Sequence, residues 1–195
     1  MKPNRKATVR RDSRETRLEA RVTIDGEGKV EVATGLPFLD HMVEQVARYG
    51  GFDLHFHGGG DVEVDPHHLV EDAGIVIGQA LSEALGDRDG ITRFASAYAP
   101  LDDALARVVV DLSRRPYLAY NLALRGRIGT LESEVLEEWW RAFAVNLGAT
   151  IHVDLVRGRN RHHVAESAAK ALGLALREAM AITGRGVPSS KGVLG

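Results

Sequence analysis

The chain has 195 residues, 44% hydrophobic and 27% charged, the profile of a globular protein with enough chain for one core. A formal net charge of −2 argues against a nucleic-acid surface covering the domain, and the absence of cysteine excludes disulfides and thiolate ligands. Any metal must therefore be held by imidazole and carboxylate, which suits Mn, Fe(II), Co, Ni or Zn better than Cu(I). No apolar run reaches about 18 residues and no charged-then-apolar leader begins the chain, so no membrane partner and a cytoplasmic location are expected.

The tail from Lys2 to Arg14 is locally basic (Lys2, Arg5, Lys6, Arg10, Arg11, Arg14) and reads as a solvated end rather than a nucleic-acid arm. Thr16 to Ile24 alternates polar and apolar, Asp25-Gly26-Glu27-Gly28 reads as a turn, and Lys29 to Ala33 alternates again, which predicts a β-hairpin. Phe38, Met42, Val46 and Tyr49 then repeat at helical spacing up to Gly50-Gly51. Phe52 to His57 and Asp61 to Asp65 read as two short strands around a Gly58-Gly59-Gly60 turn, which lacks the spacing of a phosphate loop. Asp65 and Pro66 suit the start of a helix whose stripe is Val70, Ala73, Ile77, Ala80, Leu81 and Ala84, ending at Gly86.

Gly86 to Pro100 reads as a connector. Ala104 to Leu112 and Tyr117 to Leu122 are strands. A helix near Glu132 to Leu147 turns Val135, Trp139, Trp140 and Phe143 inward. Ala149 to Val156 is a strand, and His162 opens a last helix to Met180. The second half repeats the first: Ile151-His152-Val153 matches Leu54-His55-Phe56, and Glu137-Glu138 falls where Asp40-His41 falls, ninety-seven residues apart. The expected fold is α+β, with two tandem β-β-α-β-β-α-like repeats whose sheets flank a central helical layer. It forms one domain of two pseudo-symmetric halves, about 10–86 and 93–182, with 183–195 as a tail.

The most informative stretch is His67-His68-Leu69-Val70-Glu71, which returns as His162-His163-Val164-Ala165-Glu166. Residues four apart share a helix face, so His67 with Glu71, and His162 with Glu166, can each chelate one ion. Neighbouring helical residues point about 100° apart, so His68 and His163 face other ions, in two metal sites or in sites shared between subunits. His41 adds a donor on a neighbouring helix, with Glu138 as its repeat partner. His55, His57 and His152 lie on strands, His55 and His57 on one face; lacking a helical carboxylate partner, they read as structural. Arg93, Arg115, Lys170 and Ser189-Ser190-Lys191 offer a dispersed anion cradle.

Six stretches carry a family resemblance: Thr34 to Met42 (TGLPFLDHM), His67 to Asp72 (HHLVED), Pro100 to Leu105 (PLDDAL), Arg115-Pro116-Tyr117, His162 to Glu166 (HHVAE) and Pro188 to Leu194 (PSSKGVL). In this order, from about Arg10 onward, the chain resembles imidazoleglycerol-phosphate dehydratase of histidine biosynthesis. The resemblance implies a ribosomal protein S5 domain 2-like fold and a homo-oligomer, a 24-mer in the family, with active sites between subunits. The implied enzyme is a manganese hydro-lyase that converts D-erythro-1-(imidazol-4-yl)glycerol 3-phosphate to 3-(imidazol-4-yl)-2-oxopropyl phosphate. Two Mn2+ per site would hold the ring as imidazolate while a carboxylate removes the C2 proton and the C3 hydroxyl (counted from the phosphate-bearing carbon, so the one next to the ring) leaves.

Carried over, the metal ligands are His41, His67, His68, Glu71, His162, His163 and Glu166, with Glu138 added where many members have histidine. Substrate contacts are Glu15, His41, Gln45, His67, Arg93, Arg115, His162, Lys170, Ser189, Ser190 and Lys191, with the tail completing the substrate site. Glu15, Glu71 and Glu166 are the catalytic carboxylates, Glu15 the candidate base and Asp102 a second. Tyr49 stands where a family histidine is common. Apart from the resemblance, a dinuclear metal phosphohydrolase or a non-enzymatic metal-binding module also accounts for the His-His-x-x-Glu pair.

Overall fold

The computed structural model describes residues 5–184, 186, 187, 189, 192 and 194. In chain order the first half is β1 (Lys6–Asp12), β2 (Thr16–Thr23), β3 (Val30–Ala33), α1 (Pro37–Gly50), β4 (Asp53–Gly60) and α2 (His67–Leu85). The second is β5 (Phe94–Leu101), β6 (Ala104–Asp111), β7 (Tyr117–Asn121), a small β8–β9 ribbon (Arg127–Ile128, Leu131–Glu132), α3 (Leu136–Leu147), β10 (Thr150–Arg157) and α4 (Arg161–Ala179).

The two sheets have the orders β1-β2-β4-β3 and β5-β6-β10-β7. They also share register: Thr23 pairs with Asp53 and Val30 with Leu54 in the first, and Asp111 with Thr150 and Leu118 with Ile151 in the second. The correspondence between the halves read from the two His-His turns therefore extends to individual strand pairs. Each sheet turns one face to the helices, where Leu18, Ala20, Val22, Leu54 and Phe56 meet the core from one side and Ala106, Val108, Val110, Ile151 and Val153 from the other. Between the sheets, α1 packs on α4 and α2 on α3. The expected α+β class and the central helical layer are both present.

Four local expectations fail, each for a physical reason. The predicted hairpin between Thr16–Ile24 and Lys29–Ala33 does not form: β2 pairs with β1 and β4, and β3 runs parallel to β4. Alternation identifies a strand but not its partner. The 25–28 turn is tied to β4 instead, because the Asp53 carboxylate accepts from the Glu27 and Lys29 amides at 2.8 Å each.

The basic tail is not a loose end: its residues 6–12 form β1, although most of their side chains stay exposed. Val9 turns inward, Arg10 pairs with Glu19 and Arg11 with Asp72, and the buried Arg5 holds Asp25 and donates to the Met180 carbonyl at 2.5 Å. Gly58-Gly59-Gly60 is strand rather than turn: a Cβ on Gly58, at φ 143°, would stand 2.0 Å from the Arg17 carbonyl oxygen, so only glycine lets β4 run on against β2. Asp61 to Asp65 is then a turn.

The connector 86–100 also contains a strand, β5, disguised because its inward residues are alanines (95, 97, 99) and its aromatics Phe94 and Tyr98 face out. Each half therefore reads β-β-β-α-β-α rather than β-β-α-β-β-α.

Close helix approach depends on glycine. A Cβ on Gly173 of α4 would come within 2.6 Å of the Val46 carbonyl oxygen on α1, and one on Gly74 of α2 within 2.6 Å of the Trp139 carbonyl oxygen on α3. No helix among the described residues is long and apolar enough to cross a membrane.

Candidate metal centre

Both His-His turns open a helix and are held by a side chain just upstream, the N-cap Asn160 in α4 and Asp65, one residue before the N-cap Pro66, in α2. Asn160 Oδ1 accepts from the His162 and His163 amides at 3.0 and 3.3 Å, and Asp65 Oδ1 accepts from the His67 amide at 2.7 Å. In each turn the two imidazoles diverge, with ring planes 83° apart for His162 and His163 and 88° for His67 and His68.

The packing of α1 on α4 brings three donors together. His41 Nε2 and His162 Nε2 each lie 3.1 Å from the same oxygen, Glu166 Oε2, and all three donor atoms fall within 4.8 Å of one another. The other carboxylate oxygen of Glu166 takes the Lys170 ammonium at 2.8 Å. Burial pushes the Glu166 carboxyl upward, but the bonds from Lys170, His41 and His162 more than reverse this and hold it at about 2. An ionised carboxylate and two imidazole nitrogens are the set that an intermediate or hard divalent cation binds. The Phe38 ring meets His162 edge-on at 5.3 Å, the Gln45 amide lies 3.4 Å from His41 Nδ1, and the Tyr49 ring packs 5.7 Å from Lys170 Nζ.

The second histidine of each turn faces a different carboxylate pair. His163 Nδ1 is 2.7 Å from Asp103, with Nε2 3.6 Å from Asp102. His68 Nδ1 is 3.3 Å from Asp61, with Nε2 3.9 Å from Glu15. Asp103 is held at about 2, chiefly by His163 and then by the Arg159 and Asn160 amides. His68 is raised by its bond to Asp61. Sequence reasoning missed Asp61 and Asp103; an acidic residue in the β5–β6 turn of a duplicated unit was the available signal for the second.

The remaining candidates are more dispersed. His67 Nε2 is 3.8 Å from Glu71, and both side chains are nearly half exposed. Glu138 on α3, the counterpart of His41, is turned toward Arg141 at 3.6 Å. Arg93, at a left-handed φ of 81°, grips Asp111 through Nε (2.8 Å) and a terminal nitrogen (3.1 Å). Arg115 is exposed at the entry to β7 and Ser189 is partly buried in the tail; Ser190 and Lys191 lie outside the described residues. Lys170, expected in the anion cradle, is engaged by Glu166.

A sequence profile described as imidazoleglycerol-phosphate dehydratase matches residues 34–176, a span that includes both His-His turns and α1. The chain belongs to that family. Among curated relatives, the imidazoleglycerol-phosphate dehydratase of Thermoanaerobacter pseudethanolicus is 50% identical over 97% of this chain and all of its own length. That of Magnetococcus marinus is 50% identical over 96% of this chain and 97% of its own. The crystal structure of the Pyrococcus furiosus protein in complex with (S)-C348 superposes with a TM-score of 0.84 at 38% identity, covering 95% of this chain and all of that one. The Staphylococcus aureus structure gives 0.80 at 37% identity, covering 92% of this chain and 99% of its own. As a member of the dehydratase family the chain is an enzyme, a hydro-lyase, which removes the non-enzymatic reading.

Proposed function

We propose that the chain dehydrates D-erythro-1-(imidazol-4-yl)glycerol 3-phosphate to 3-(imidazol-4-yl)-2-oxopropyl phosphate in histidine biosynthesis. The observation that carries this reading is the convergence of His41, His162 and Glu166 from two helices, in a chain of this family. That donor set fits Mn2+, with Glu166 already ionised. His41, His162 and Glu166 would hold one ion. His67, His68, Glu71 and His163, with Glu138, would supply ligands for a second, completed between subunits of a homo-oligomer, a 24-mer in the family. When bound, the metal supplies Lewis acidity at the imidazole nitrogens, so that the ring can take up negative charge.

The chain's own groups do the rest. Glu15 sits on the loop between β1 and β2, half exposed and 3.9 Å from His68 Nε2, free to reach a bound molecule. It serves as the base for the C2 proton, which has no adjacent carbonyl and needs the ring as its acceptor of charge; the hydroxyl on the ring-bearing carbon departs as water, and the enol left behind tautomerises to the ketone. Glu71 and Glu166, besides serving as ligands, face His67 and His162 one turn away and help orient those rings. The phosphate is the remote handle, taken by Arg93, Arg115, Lys170, Ser189, Ser190 and Lys191, with the 183–195 tail contributing to the substrate site and the 10–86 and 93–182 halves acting as one domain. A cytoplasmic location accords with the pathway.

The direct test is to incubate the Mn2+-loaded protein with the imidazole-glycerol phosphate and follow the product ketone, with a 1,2,4-triazole phosphonate as competitor. Tight metal binding without turnover sinks the proposal. Release of inorganic phosphate instead identifies a phosphohydrolase. In parallel, EDTA is expected to shrink the particle on a sizing column; a large particle indifferent to EDTA removes the metal from the subunit contacts.

A further inference from the structure

His55 and His57 stand apart from the helical layer, on the outer face of β4, and the proposed reaction makes no use of them. The sequence reading set them aside as structural because no helical carboxylate accompanied them. The parallel pairing of β3 with β4 changes that, because it places Glu31 directly opposite His55. Glu31 Oε2 lies 3.4 Å from His55 Nε2, and His55 Nδ1 lies 3.1 Å from His57 Nδ1, the two ring planes being 77° apart.

This is the arrangement of a two-imidazole chelate with its outer partner in place. A carboxylate that accepts the Nε2 proton of one imidazole leaves the lone pair on its Nδ1, and carboxylate–histidine–metal relays are built this way. The bare Nδ1 of His55 therefore faces Nδ1 of His57. Imidazole nitrogens bind Zn2+ at about 2.0–2.1 Å, so two of them on one ion stand about 2.9 Å apart at a right angle and about 3.3 Å apart at the tetrahedral angle. The observed 3.1 Å lies between these limits. The separation of the two ligand nitrogens already suits one ion; binding it requires His57 to carry its proton on Nε2 and both Nδ1 lone pairs to turn toward the ion.

The surroundings permit a cation. Arg21 is the residue opposite His55 on β2, but it is held by Glu19 at 2.6 Å, and Glu19 also holds Arg10. Ala33, opposite His57 on β3, leaves that side open. The His55 and Glu31 side chains are 40% and 76% exposed, so water can fill the other coordination positions.

We propose that His55 and His57, oriented by Glu31, form a second, surface metal site for a late first-row divalent ion such as Zn2+, Ni2+ or Cu2+, the ions imidazole ligands favour. It is independent of the triad between α1 and α4 and does not rest on the proposed reaction. The experiment is to saturate the protein with Mn2+ and titrate Ni2+ under equilibrium dialysis, counting both metals by elemental analysis. The comparison sets wild type against His55→Ala/His57→Ala, with His152→Ala on the other sheet as control. Any exchange of Mn2+ at the helical site is common to all three proteins. The double variant is expected to bind one Ni2+ fewer per chain with unchanged turnover, and His152→Ala to behave as wild type. Glu31→Ala is expected to keep the ion but to weaken it about 10-fold or more. The Cu2+ form should show hyperfine coupling to two nitrogens that disappears in the double variant. Equal Ni2+ stoichiometry and affinity in wild type and double variant would overturn the site, as would an equal loss in His152→Ala.

Discussion

Gly173→Ala tests whether the helix packing sets the geometry of the metal centre. The new Cβ would stand 2.6 Å from the Val46 carbonyl oxygen and 2.9 Å from both the Gly50 nitrogen and Tyr49 Cβ, where ordinary contact begins at 3.4 Å. Two of these three atoms are backbone, so no side-chain rotation relieves the clash, and α1 must part from α4 by roughly 0.8 Å. His41 rides on α1 and Glu166 on α4, so their 3.1 Å contact lengthens to about 3.9 Å, beyond hydrogen-bond reach. The His162–Glu166 contact, internal to α4, is unaffected. The substitution should therefore cost about 1–3 kcal/mol in urea unfolding and also weaken Mn2+ binding about tenfold in calorimetric titration, through loss of one of three converging donors. Gly184→Ala is the control, since a Cβ there meets nothing within 4 Å. If Gly173→Ala unfolds and binds Mn2+ as wild type does, the triad does not depend on the close approach of these helices.

Lys170→Met removes the cation from a pair whose side chains are only 14% and 12% exposed, and should destabilise the metal-free protein by about 1–3 kcal/mol at pH 7; unchanged stability with a raised KM would give Lys170 to the substrate phosphate alone. Asp103→Ala frees His163 Nδ1 and should weaken Mn2+ binding about 10- to 100-fold, with Asp103→Asn, which keeps an acceptor oxygen, much nearer wild type. Equal losses in the two variants would mean that negative charge, not ring orientation, is what matters. Glu166 and Asp103 both sit at about 2 in the folded chain, against ordinary values of 4.5 and 3.8. Their folded values are depressed, so they contribute stability above about pH 4.5 that is lost as pH falls toward 2. The urea midpoint of EDTA-treated protein should fall through that window, and a flat profile there contradicts the assignment.

The fold was legible wherever a periodicity was complete. The α1, α2, α3 and α4 stripes, β6 and β10 follow directly from their apolar spacing. It was illegible where the inward residues were small or few, as in β5 with its alanines and β1 with Val9. Strand pairing was a separate loss: alternation gives a face, while the partner is set by long-range contacts such as Asp53 on the 25–28 turn. That error carried into the chemistry, because a hairpin between β2 and β3 gave no reason to set Glu31 beside His55. In the metal centre, the helical spacing of His162 and Glu166 and the divergence of His163 were readable, since both are properties of a single helix. Spacing places His41 only as a donor on a neighbouring helix; its role as a ligand comes from the family resemblance. Asp61 and Asp103 lie on loops that no period reports.

The two His-His turns are not equivalent, although the halves that carry them share a scaffold. Backbone register is the same in both halves, so each half presents its histidines from the same scaffold. The side chains around them have diverged. His41 on α1 reaches Glu166, whereas its counterpart Glu138 turns to Arg141; Lys170 neutralises Glu166, whereas the corresponding place on α2 is Ile75. His68 takes its Nδ1 partner from the loop after β4, and His163 takes its partner from the turn before β6. Among the described residues, only the α1–α4 side assembles three converging donors within the chain. The imidazoles of His67, His68 and His163 remain 43%, 35% and 26% exposed. A chain with one assembled cluster and three outward-facing imidazoles has the ligand geometry that sites shared between copies require. On the proposed sharing of sites between copies, stripping the metal with EDTA should separate the copies before it unfolds any one chain.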